Sequence, residues 1–172
     1  MSEKFLVDSN FWITCANELY PQRHFPSFWA AMETYLADGT ILYHWSVDEE
    51  LHRKKDGIAA WFDGLADDGK LTVINRPRDT PESYIEVCNW PLSCDRPHAK
   101  PYTRAAISVF QDATRADAWL CAQAMESGYT LVTREKPEPQ AYRAIKIPDV
   151  CEGLGISCLN FKDFFDAIDL VA

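Results

Sequence analysis

"TRADAWLCAQAMESGYTLVT", residues 114–133, is the stretch that decides the class of fold. Its first part is rich in alanine, leucine and methionine, which favour helix. Thr114 is the expected N-cap, Asp117 follows three residues later, and Gly128 supplies the stop. Tyr129 to Thr133 then turn apolar and β-branched, the mark of a short buried strand. A helix that runs through a glycine directly into a buried strand is the repeating unit of an α/β sheet.

The alternation continues outward from this unit. Strands are expected over 4–7, 40–44, 71–74, 129–133 and 157–159, with another short one inside "AIKIPDV", residues 144–150. After the first strand comes a loop containing Pro21 and Pro26. Helices are expected over 28–37 behind a Ser27 cap, over "VDEELHRK" (47–54) behind a Ser46 cap, and over 58–65 beyond Gly57. Further helices are expected near 81–88, opened by Pro81, over 102–110, and over 161–168 behind Asn160. Alternation of this kind implies a three-layer α/β/α domain with a central, mainly parallel sheet. No internal linker interrupts it, so residues 1–172 read as one domain. The span 75–101 is proline-rich and carries no assignable motif.

With 172 residues, 47% hydrophobic and 25% charged, the chain can bury a sizeable core and is not compositionally disordered. No apolar run approaches the ~18 residues of a membrane span. Met1-Ser2-Glu3-Lys4 lacks the regions of a signal peptide, so a cytoplasmic location is expected. The six cysteines form no C-x-x-C pair. Cys88, Cys94 and His98 are spaced too widely for a zinc knuckle, and free cysteines commonly act as small buried hydrophobes. A net charge of −9 repels polyanions on average. Contact with nucleic acid would therefore depend on local basic groups: Arg53-Lys54-Lys55, Arg76 with Arg78, and Arg96, His98, Lys100 and Arg104.

In an open parallel sheet, ligands gather outside the carboxyl ends of the strands, where strand order reverses. Four acids sit at such places. Asp8 follows "KFLV", Glu50 lies about a turn into the helix after "ILYHW", Asp117 opens the alanine-rich helix, and Glu135 follows "YTLVT" by one residue. Singly, each has an ordinary reading as a cap, a helix-terminus charge, a solvated face or a loop charge. Together they suggest crowded carboxylates relieved by a hard divalent cation, magnesium or manganese. Such a site supports metal-assisted attack of water on a phosphodiester.

These same residues carry a resemblance to the PIN-domain nucleases. "FLVDSN" looks like that family's opening strand and first acid, "SVDEELHR" like the segment of the second acid, and "RADAWLCAQAMESGYTLVT" like its third acid, helix and strand. "TREK" stands where the family has a hydroxyl-x-acid motif, with Glu135 in place of the commoner Asp. "FPSFWAAMETYLADG" and "IKIPDVC" resemble a PIN-like subfamily formerly catalogued as a domain of unknown function, in which that Glu is usual. The resemblance implies adjacent first and fourth strands and Asp8, Glu50, Asp117 and Glu135 as the catalytic, metal-holding acids. It implies that Ser9 or Asn10 and Thr133 orient them. Glu49 is the weaker rival to Glu50, since it points to another helix face.

The function expected on this basis is a magnesium- or manganese-dependent endoribonuclease, the toxin of a bacterial toxin–antitoxin pair. It would act on single-stranded or looped RNA, have a cognate antitoxin as partner, and be open to homodimer formation, without membrane association. Arg53, Lys54, Arg96, Lys100 and Arg104, with Trp90 as a stacking surface, are the expected RNA contacts. The alternative is a non-catalytic PIN-like protein-interaction module, with Trp12, Phe25 and Trp29 as surface aromatics for a partner. An aspartate-nucleophile phosphatase fits poorly, because Asn10 stands where its second acid is required.

Overall fold

The computed structural model describes residues 2–170. Five strands form one sheet: β1 (Phe5–Val7), β2 (Ile41–His44), β3 (Val73–Ile74), β4 (Thr130–Val132) and β5 (Cys158–Leu159). Their order is β3-β2-β1-β4-β5, and every pairing is parallel. β1, β2 and β4 are buried at every position, as strands covered on both faces must be. The sheet is therefore parallel throughout, not mainly so, and β1 and β4 are neighbours.

Nine α-helices accompany it among the described residues: α1 (Ser9–Thr14), α2 (Pro26–Ala37), α3 (Trp45–Arg53), α4 (Ile58–Asp67), α5 (Glu82–Ser93), α6 (Arg104–Phe110), α7 (Ala116–Ser127), α8 (Ile147–Leu154) and α9 (Phe161–Ala167). α1 runs on as a π-helical turn, Cys15–Leu19. Sheet order and right-handed crossovers put α1 to α4 on one face and α5 to α8 on the other. α9 returns to the first face, where Phe164 meets Phe5 and Phe11 with ring centroids 5.2 and 5.6 Å apart.

Several local expectations need correction. The strand expected inside 144–150 does not form. Pro148 sits in the first turn of α8, where its missing N–H is harmless, and the fifth strand is the one at Cys158–Leu159. Residues 9–14, expected as loop, are helical because Asp8 caps them. The expected caps Ser27, Ser46 and Thr114 do not form. α2 begins at Pro26, one residue before Ser27. The His44 imidazole accepts the Ser46 N–H at the start of α3. Thr114 instead bonds back to Asp112 through its amide and hydroxyl, 2.9 and 2.8 Å, closing a turn ahead of α7. Gly128 does terminate α7, at φ 69°, a left-handed conformation that suits glycine. α5 runs on to Ser93, past Pro91 in its interior, where the expected helix stopped at 88.

The first face holds most of the aromatic core. Trp12 lies within 5.1 to 6.4 Å, centroid to centroid, of Phe11, Trp29, Trp61 and Phe62. Trp12 and Trp29 are 1% and 5% exposed, which removes them as surface residues for a partner; only Phe25 of that trio is exposed. All six cysteines are free. Among the described residues, no helix is long and apolar enough to cross a membrane.

Candidate functional site

The chain leaves β1 toward one face of the sheet and β4 toward the other, so their carboxyl ends flank a crevice at the switch point. Register pairs Val7 with Val132. The next residues on each strand, Asp8 and Thr133, then meet: the Thr133 hydroxyl donates to Asp8 Oδ2 at 2.6 Å. Asp8 Oδ1 accepts the Phe11 N–H at 2.9 Å, so the same carboxylate caps α1 and faces the crevice. Burial, the larger influence, pushes Asp8 up to about 7 against the pull of these two bonds, and Asp117 and Glu135 push in the same direction.

Glu50 reaches the crevice from α3. Its Oε2 accepts the Ala116 N–H at 3.3 Å, its Oε1 lies 2.5 Å from Lys54 Nζ, and the nearby Ser9 hydroxyl also favours its charged form. Burial raises Glu50, yet these donors together hold it below its ordinary value. By capping Ala116, Glu50 fixes the first turn of α7, which carries Asp117. Asp117 is pushed up by burial and by Glu50, and relieved by Arg115, whose guanidinium approaches to 4.0 Å. Glu49 faces elsewhere, pairing with Arg76 at 3.3 Å, so Glu50 is the acid of this segment that faces the crevice.

Glu135 is held differently. The Thr133 hydroxyl accepts its N–H at 3.1 Å, while its Oε2 accepts the Ile147 N–H at 2.7 Å, at the start of α8. The "IKIPDVC" stretch thus brings a helix N-terminus up to the fourth acid. Glu135 is raised by burial against that bond, with Asp117 adding repulsion. A glutamate spans this gap where an aspartate is one methylene short. Glu135→Asp is therefore expected to free the Ile147 amide and lower stability by about 1 kcal/mol. A urea midpoint unchanged by that substitution would show that the tether contributes nothing.

Asp8, Glu50, Asp117 and Glu135 thus act on one another's charge, from four separate elements. Thr133 orients Asp8 and the Glu135 backbone by hydrogen bonds, the buried Ser9 favours the charged form of Glu50, and Asn10 is exposed and bonds to none of the acids among the described residues. Basic groups share the site: Lys54, Arg115 and Lys146 lie close enough to offset part of the repulsion. The sequence reading missed Arg115 and Lys146 at the site, although both lie inside quoted stretches, "RADAWLCAQAMESGYTLVT" and "IKIPDVC".

The donor set fits a hard dication. Every candidate ligand atom is a carboxylate oxygen, and among the described residues no hydrogen bond engages the Asp117 carboxylate or Glu135 Oε1. No three of these acids bring ligand atoms within 4.8 Å of one another, a spacing that one described trio does reach: Asp48, His52 and Asp63. Acids spaced more widely than this would reach a shared cation partly through bound waters. The Asp48–His52–Asp63 trio is a surface clip instead. Protonated, His52 donates Nδ1–H to the Asp48 carbonyl at 2.8 Å and Nε2–H to Asp63 at 3.0 Å, and these bonds raise its pKa.

The expected RNA-contacting cations are mostly engaged. Lys54 is paired with Glu50, and Arg53 donates to the Thr114 carbonyl. Arg96 donates to the carbonyls of Lys100, Pro139 and Ala141. Lys100 lies over the Tyr142 ring, 5.0 Å from its centroid, and Arg104 is exposed at the start of α6.

No curated protein and no solved structure matches the chain. One family model does, over residues 5–171, from β1 to beyond α9. By that match the chain belongs to the family described as a domain of unknown function, DUF4411.

Proposed function

We propose that this chain is a PIN-like endoribonuclease dependent on magnesium or manganese, serving as the toxin of a toxin–antitoxin pair with a cognate antitoxin as its protein partner. The observation that carries the reading is the junction at the switch point. Asp8 and Thr133 meet across β1 and β4, and Asp117 and Glu135 both bear on the Asp8 charge. The strand order β3-β2-β1-β4-β5 is compatible with a PIN-like fold. A bound dication would neutralise developing charge on the scissile phosphate and lower the pKa of an attacking water.

The chain's own groups do the positioning. Thr133 and the Phe11 amide hold Asp8, Lys54 and the Ala116 amide hold Glu50, and the Ile147 amide holds Glu135. Arg115 and Lys146 are placed to meet phosphate oxygens that would otherwise face four acids. The expected result is cleavage of single-stranded RNA with added manganese, lost by at least about a hundredfold in Asp117→Asn and in Asp8→Asn. Full activity in both variants would remove the proposal. The interaction-module alternative has lost Trp12 and Trp29 to the core, and no specific observation favours it.

A further inference from the structure

α8 also borders a second cleft, of about 350 Å³, walled by Trp90, Arg96, Tyr102, Asp149, Glu152 and Gly153. It is a built site. A Cβ on Gly153 would lie 2.5 Å from the Trp90 indole, so glycine is what lets that ring lie against α8. The Arg96 guanidinium stands 3.7 Å from the Tyr102 ring centroid. The same guanidinium bonds the carbonyls of Lys100 at 2.7 Å, Pro139 at 2.7 Å and Ala141 at 2.5 Å, tying two loops into one rim. Asp149 is 8% exposed: its Oδ2 accepts the Glu138 N–H at 3.0 Å, while its Oδ1 is buried with no hydrogen-bond partner. A buried acceptor left unpaired is unfavourable until a donor reaches it.

The walls specify what that donor belongs to. Trp90 and Tyr102, centroids 6.1 Å apart and tilted by 50°, offer flat stacking surfaces. With Arg96 engaged by carbonyls, the acids Asp95, Asp149 and Glu152 make the lining rich in acceptors. An aromatic ring with an amino group fits such a cleft. Glu152 also lines the neighbouring cleft that contains Thr133 and Glu135, and Asp149 lies two residues beyond Ile147, whose amide holds Glu135.

We propose that this cleft receives one unstacked base of the RNA strand, a base bearing an exocyclic amine, beside the point of cleavage. The proposal rests on the ribonuclease reading and names a substrate preference for it. Adenine, cytosine and guanine each present an amino donor, whereas uracil presents an imide N–H between two carbonyls, which the acids repel. Aromatic stacking holds any base, and the acids of the lining, Asp149 with Asp95 and Glu152, select among them.

The test is fluorescence anisotropy of the full chain with labelled eight-nucleotide oligo(C) and oligo(U) in EDTA, where base size is matched and no cleavage intervenes. Oligo(C) is expected to bind at least about fivefold more tightly than oligo(U). Asp149→Asn keeps a carbonyl for Glu138 N–H and puts an amide donor where Oδ1 was, so the preference is expected to vanish or reverse. Glu152→Gln, on an exposed side chain with no hydrogen bond or ion pair among the described residues, is expected to weaken oligo(C) alone, which keeps the proposal testable if Asp149→Asn fails to fold. Equal wild-type affinities, no binding, or a preference untouched by both substitutions would overturn it. Competition by free cytidine monophosphate as strong as that of the oligonucleotide would also overturn it, by making the cleft a free-nucleotide site. Manganese-dependent cleavage of the same strands separates the two readings. Base preference without cleavage removes the nuclease and keeps the cleft, and cleavage without preference does the reverse.

Discussion

Asp8→Asn is expected to raise the thermal midpoint of the metal-free protein at pH 8 while abolishing manganese-dependent RNA cleavage. The two effects share a cause. Folding carries Asp8 from water to a site 4% exposed, and burial moves its pKa from 3.8 to about 7. A carboxyl raised in the folded state contributes its full stability below pH 3.8 and loses it as pH rises through about 7. At pH 8 the folded protein therefore holds an unfavourable charge, a penalty on the order of 2–4 kcal/mol. Asparagine carries no charge, keeps an acceptor for the Phe11 N–H and faces Thr133 with an amide. The advantage of the variant should shrink as pH falls toward 4. Manganese should raise the wild-type midpoint, by about 2.7 kcal/mol of stability at a hundredfold excess over Kd, and leave the variant unchanged. Calorimetric scans at pH 5 and pH 8, with and without manganese, decide it. A variant less stable than wild type at pH 8 would falsify the view of Asp8 as a strained anion awaiting a cation.

Part of this site was legible in the chain because its chemistry coincides with its punctuation. Asp8 and Glu135 follow apolar runs that are strands, and Asp117 opens a helix whose alanine content and glycine stop are unambiguous. Glu50 was not separable from a solvated helix face by residue pattern, since Lys54 four residues on is what such a face also shows. In the fold that lysine pairs with a half-buried glutamate at the crevice. α1 was hidden because Asp8 reads as the end of a strand, and nothing in "SNFWIT" announces that the same carboxylate caps a helix. α8 was mistaken for a strand because Ile145, Lys146 and Ile147 alternate, while the helix they precede is set by Pro148 and by the Glu135 and Asp149 contacts. The cleft beside α8 draws Trp90 and Arg96 from the aperiodic 75–101 span and closes on α8. Its geometry depends on long-range contacts that no local pattern encodes.

Trp12→Ala is the substitution expected to damage the fold most. An exposed tryptophan kept for a partner would tolerate truncation with little change in stability. Trp12 is instead 1% exposed, sits about one turn after β1, and contacts four other aromatic rings. Truncation removes most of the indole's buried area and its edge-to-face contacts with Phe11 and Phe62, leaving a cavity between α1, α2 and α4. Losses of this kind run to about 3–5 kcal/mol, a large share of the stability of an ordinary domain. The melting midpoint should fall by on the order of 10 °C. α1 begins at the Asp8 cap, so loosening it also releases one of the two bonds that orient the Asp8 carboxylate. Manganese binding is then expected to weaken along with the fold, although residue 12 touches no acid. Phe25→Ala, at a residue 41% exposed, serves as the control and should shift the midpoint by no more than a degree or two. Comparable midpoints for the two variants would mean that the aromatic layer on this face does not anchor α1, and the link from core packing to the carboxylate cluster would have to be abandoned.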